Sequence, residues 1–215
     1  MPYFKSFGRD FSDYQKRTKD FDIGDASLNG YEHKKLFRNN GNGTFTDIAN
    51  AVGADRLEDG RGVALIDFDS DGYPDILIRN YRMKAALYCN ANISGNNYLN
   101  VRLAGTKSNH DAIGAKIKIT SAGKTQIREV YAGSGFLSMS TLTQFFGLGK
   151  ADKVDSLEVL WPSGAKQVFK DIPANRMVKI TEGKNEPVIE ELKPRIPREM
   201  VAAAVHEREA KKAAH

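Results

Sequence analysis

The segment Asp67-Phe68-Asp69-Ser70-Asp71-Gly72-Tyr73-Pro74-Asp75 sets four carboxylates at its first, third, fifth and last positions. Calcium takes about six to eight hard oxygen ligands in a flexible shell. Alternate side chains on a curling loop point to one side, so Asp67, Asp69 and Asp71 can converge on one point. Gly72 admits the positive φ of a sharp turn. The Tyr73 carbonyl then faces the ion, and Asp75 closes the shell through both of its oxygens. Carboxylates this close repel one another without a cation. The loop is therefore expected to be loose without metal and ordered with it. An EF-hand needs a glutamate at its twelfth position and helices on both sides. Here that position is Ile78, and the flanks read as strands. Magnesium, which keeps its waters in a rigid octahedron, suits the loop less well.

The elements that must hold this loop are short strands. Gly62-Val63-Ala64-Leu65-Ile66 precedes it and Ile76-Leu77-Ile78 follows it, both apolar runs, with Ala86-Leu87-Tyr88 as a third strand. Upstream, Leu36 to Asn39 and Thr44 to Ile48 flank Asn40-Gly41-Asn42-Gly43, a plain tight hairpin. Asn90 to Asn97 is a polar break. Beyond it, strands are expected over Tyr98–Leu103, Ile113–Thr120, Thr125–Tyr131, Gln144–Leu148, Ser156–Trp161, Lys166–Phe169 and Arg176–Thr181. Ser121-Ala122-Gly123-Lys124 is a clear hairpin turn among them. Such spacing indicates an all-β sandwich or barrel. The chain thus divides into an N-terminal strap (1–30), a calcium-binding repeat (31–95), a second β domain (96–183) and a charged tail (184–215). The last of these reads as a proline-bearing linker or an extended strap over 186–198, then a helix rich in Ala, Glu, Lys and Arg.

Length and composition bound the function. The chain has 215 residues, formal net charge +5 and a sequence pI near 9.2. Its basic residues are dispersed rather than clustered, which argues against nucleic acid as a partner. No run of apolar residues is long enough to span a membrane, and no secretory leader is visible at the start of the sequence. The single cysteine, Cys89, excludes an internal disulfide and is expected in the core beside Tyr88. No phosphate-binding glycine loop or nucleophile elbow is present. None of the four histidines stands at metal-ligand spacing from another. The chain is accordingly expected not to be an enzyme. Asp111 and Glu129 could form a carboxylate pair in space, of the kind a hydrolase uses. Trp161 reads as a strand end packed on the core, although an exposed tryptophan beside Tyr131 and Phe136 could stack on sugar.

Two stretches resemble known families. Leu36 to Asp47, followed by Gly60-Arg61-Gly62-Val63-Ala64-Leu65-Ile66 and the Asp67–Asp75 loop, resembles an FG-GAP or VCBS repeat. Ser108-Asn109-His110-Asp111-Ala112-Ile113-Gly114-Ala115 resembles the ASPIC/UnbV domain. So do Arg128-Glu129-Val130, Gly133 to Ser138, Phe146-Gly147-Leu148-Gly149, Val154 to Val159 and Trp161-Pro162-Ser163-Gly164. The first resemblance implies a propeller-type blade with calcium on Asp67, Asp69, Asp71 and Asp75 and on the Tyr73 carbonyl. Together they imply an exported, non-catalytic interaction or structural module, with a blade-like sheet packed against the second β domain. About one repeat is present, and a closed propeller needs about four or more blades. The open sheet edges are thus expected to meet the second domain, the N-terminal segment, another protein or a second copy. A calcium-dependent carbohydrate-binding module and a carboxylate hydrolase are the competing expectations.

Overall fold

The computed structural model describes residues 32–92 and 94–195. The strap expected over 1–30 and the helix expected after 198 lie outside them. The described residues are all-β, with thirteen strands and no helix. The chain divides into two compact units between Asp59 and Gly60, inside the segment 31–95 that the sequence reads as one repeat.

In the first unit, β1 (Phe37–Asn39) pairs antiparallel with β2 (Phe45–Asp47). Gly41 and Gly43 turn the chain at φ 79° and 83°. The amide of Asn40 donates to the Thr44 and Thr46 hydroxyls, and Asn42 Oδ1 accepts from Thr44. The turn uses its own amides, as a plain hairpin does. Lys34 closes the unit by donating to the Glu58 carbonyl at 2.6 Å.

The second unit begins with β3 (Gly60–Ile66), β4 (Asp75–Asn80) and β5 (Ala86–Tyr88), an antiparallel sheet in that order. The acidic loop is the β3–β4 connection. Two four-stranded sheets follow. One is ordered β11-β10-β7-β8, from β7 (Lys116–Ser121), β8 (Lys124–Glu129), β10 (Lys153–Leu160) and β11 (Lys166–Pro173). The other is ordered β13-β12-β6-β9, from β6 (Asn97–Ala104), β9 (Gln144–Gly149), β12 (Arg176–Thr181) and β13 (Val188–Glu190). Only β6 and β12 run parallel among the described pairs. Period-two alternation sends Ile117 and Ile119 of β7, Leu157 and Val159 of β10, Leu99 and Val101 of β6, and Val178 and Ile180 of β12 into one buried cluster. Both four-stranded sheets therefore share a core, completed by Phe146 and Trp161.

Three expectations need correction. β7 begins at Lys116 rather than Ile113, because Ala112 and Gly114 turn at φ 56° and 90° and Asn109 Oδ1 accepts from the Ile113 N–H. Of the linker and the extended strap expected over 186–198, the linker gives way, because this stretch contains β13, which pairs with β12 and is pinned by Lys179 Nζ on Glu190 at 2.8 Å. Cys89 is exposed, since β5 ends at Tyr88 and the chain leaves the sheet there.

Candidate metal centre

The loop curls because Ser70 and Gly72 take φ 62° and 94°. Backbone N–H groups then point inward at carboxylates. The Asp71 and Gly72 N–H groups donate to Asp67 at 3.1 Å each, and the Tyr73 N–H donates to Asp71 at 2.9 Å. One carboxylate oxygen from each of Asp67, Asp69 and Asp71 lies within 4.8 Å of the other two. Asp69 and Asp71 are buried and Asp67 is partly buried. Burial raises the Asp67 carboxyl above its ordinary range, and the charges of Asp69 and Asp75 add to the rise against the Gly72 and Asp71 N–H bonds. A carboxylate raised in this way costs stability above its unfolded pKa, and a divalent cation removes that cost. Three hard oxygens at this spacing, from two buried carboxylates and one partly buried, could hold a metal ion.

Asp75 has a different setting. Its Oδ1 accepts from the Asn90 N–H and its Oδ2 from the Phe68 N–H, both at 2.8 Å. It ties the end of β5 to the start of the loop, and its oxygens are not part of the close group of three. Its pKa is raised, by burial first and by Asp69, with the two N–H bonds opposing. The Tyr73 side chain is buried, and its hydroxyl donates to the Asn96 carbonyl at 2.6 Å. Near the same carboxylates, partial burial and the charges of Asp75, Asp69 and Asp71 push the Cys89 thiol up.

The loop lies against β6. Leu99 and Val101 face the shared core, so Tyr98 and Asn100 project from the opposite side of the strand. The ring of Tyr98 meets Tyr73 edge to face at 4.9 Å, and Asn100 Nδ2 donates to the Gly72 carbonyl at 2.9 Å. From beyond β13, the Arg195 N–H donates to the Asp69 carbonyl at 2.6 Å.

The other candidate residues are not gathered into a site. Asp111 faces Arg102 at 3.5 Å and Glu129 faces Lys116 at 4.0 Å. Trp161 is buried at 2% exposure, whereas Tyr131 and Phe136 are exposed. The sugar-stacking face therefore loses its tryptophan. Sequence reading also missed Glu182. This buried carboxylate accepts from the N–H groups of Thr106, Lys107 and Ser108 and from the hydroxyls of Ser108 and Ser163. Burial opposes its charge, but the Ser163 hydroxyl and the Ser108 and Thr106 N–H groups prevail and hold its pKa at about 2.

Residues 23–78 match the family of FG-GAP-like repeats, and residues 105–187 match the ASPIC and UnbV family. Cartilage acidic protein 1 of Xenopus tropicalis is 46% identical over 61 residues, 28% of this chain and 9% of the relative. The Mus musculus and Homo sapiens proteins of that name are 29% and 28% identical over 161 residues, 74% of this chain. The chain spans 20% or less of the length of these curated relatives. Tyr98 and Asn100 fall between the two matched spans. The acidic loop lies inside the first span and the Glu182 cradle inside the second: the chain is similar to an FG-GAP-like repeat followed, in its later part, by an ASPIC and UnbV domain.

Proposed function

We propose that this chain is a calcium-stabilised, non-catalytic interaction module of an extracytoplasmic protein. The observation that carries this reading is the convergence of Asp67, Asp69 and Asp71 within 4.8 Å, with two of the three buried. Asp67, Asp69 and Asp71 hold the ion, and the Tyr73 carbonyl and Asp75 complete the set. The ion supplies charge neutralisation and no chemistry. A non-catalytic role is supported by the basic partners of Asp111 and Glu129. An extracytoplasmic site is supported by the abundance of calcium there and by relatives named for cartilage. No helix of the described residues is long and apolar enough to cross a membrane. The three-stranded sheet reads as part of a blade and the two four-stranded sheets as a sandwich, with Val63, Leu65 and Leu87 still open to a partner.

Calorimetric titration with calcium tests the metal. The expected dissociation constant is about 10⁻⁴–10⁻³ M, the range of extracellular calcium modules. Calcium at about 100 times that constant raises stability by about 2.7 kcal/mol. Absence of both heat and thermal shift in roughly 10 mM calcium removes the metal, given that range. Size-exclusion chromatography with light scattering tests the interaction. An assembly larger than 23.8 kDa in calcium, lost in EDTA, is expected. A monomer in both reduces calcium to a local staple.

A further inference from the structure

We infer that Asn100 and Tyr98 are positioning residues for the acidic loop, so that β6 forms the seat of the cation site and metal occupancy is coupled to the stability of the β13-β12-β6-β9 sheet. The inference rests on the calcium reading for its metal arm, and on geometry alone for the seat.

Asn100 is wholly buried in a strand whose neighbours Leu99 and Val101 are core residues. A buried amide is costly unless it is bonded. The bond it makes is to the Gly72 carbonyl at 2.9 Å, and its Oδ1 has no partner. An apolar residue of the same size would serve the sheet better. What Asn100 provides is therefore a fixed donor beneath the sharpest bend of the loop. Tyr98 provides the surface beside it. Its ring lies so close to Gly72 that a β-carbon there would overlap it, and it packs in a T-shaped pair with Tyr73, ring centroids 4.9 Å apart.

The seat is itself rigid. The Tyr98 N–H donates to Asn175 Oδ1 at 3.2 Å, the Asn175 N–H donates to the Tyr98 carbonyl at 2.7 Å, and Asn175 Nδ2 donates to Asn97 Oδ1 at 2.9 Å. Asn175, in the turn between β11 and β12, thereby clamps the start of β6. The loop bend, the seat and the clamp form one chain of contacts reaching from the carboxylates to the shared core. A ligand bound only when the loop is ordered stabilises whatever holds the loop in order.

The test is Asn100→Leu in the full chain, read by amide hydrogen exchange in EDTA and by calcium titration. Emission from Trp161 reports whether the shared core is intact. Without metal, the Asp71, Gly72 and Tyr73 amides are expected to exchange about ten times faster than in the parent, as loss of one hydrogen bond implies. In calcium, affinity is expected to fall by about five- to tenfold while Trp161 emission stays unchanged. Unchanged exchange together with unchanged affinity overturns the inference. If the parent binds no calcium, the metal reading falls, and exchange in EDTA still decides the seat. If Asn100→Leu does not fold, Asn100→Ala, which removes the same donor, takes its place under the same criteria.

Discussion

Gly72→Ala separates two penalties that most glycine substitutions confound. Gly72 sits at φ 94°, where a residue with a β-carbon loses about 1–2 kcal/mol. The new β-carbon would also overlap the ring of Tyr98, and overpacking of this kind costs about 1–3 kcal/mol. Gly123, in the turn between β7 and β8, has φ 73° with nothing within 4 Å of an added β-carbon. Gly123→Ala thus carries the backbone penalty alone. The two variants are expected to differ by about 1–3 kcal/mol, or about 3–9 °C in Tm for a unit of this size. The measurement is calorimetric unfolding in EDTA, so that cation affinity does not enter. In a Tyr98→Ala background the excess should vanish, because the obstructing ring is gone. Equal losses from Gly72→Ala and Gly123→Ala in the parent background would refute the seating of the loop on Tyr98.

Glu182 should contribute to acid stability. Its folded pKa of about 2 lies below the ordinary 4.5, so its contribution is present above pH 4.5 and is lost as the pH falls from there towards 2. Glu182→Gln should lower stability at neutral pH and flatten the pH dependence within that window, and identical acid-unfolding curves would contradict this. Leu137 is 89% exposed at φ 47°. Leu137→Gly should leave stability unchanged or raise it by up to about 1 kcal/mol, because relief of left-handed strain offsets the added chain entropy. A loss above about 1 kcal/mol in chemical denaturation would mean that this side chain is packed after all.

The parts legible in sequence were those with local causes. Arg176–Thr181 and Ala86–Tyr88 read correctly as strands because apolar runs end at turn residues. The Ala122-Gly123 turn was legible for the same reason, with φ 47° and 73° at its two central residues. Convergence of Asp67, Asp69 and Asp71 follows from their alternate spacing. Asp75 was harder, because its oxygens answer to N–H groups at Phe68 and Asn90, the latter 15 positions away. β13 was hidden by Pro187 and the flanking glutamates, since an edge strand needs only a few apolar residues. Glu182 gave no local signal, its partners lying as far as 76 positions off. Asn100 looked like an ordinary polar residue within a strand, and its role is visible only where Gly72 comes to rest on it.

The parallel pairing of β6 with β12 orders events in time. Tyr98 and its clamp Asn175 are 77 positions apart, so β6 cannot be fixed until most of the second unit has been made. Hairpins such as β7–β8 close across two residues and form early, whereas a distant parallel pair must first meet the entropy of a long loop. During synthesis the acidic loop emerges before its seat, and the seat before its clamp. A cation held by Asp67, Asp69 and Asp71 would therefore be captured late, locking an assembled unit, and an unfinished chain would hold it only weakly.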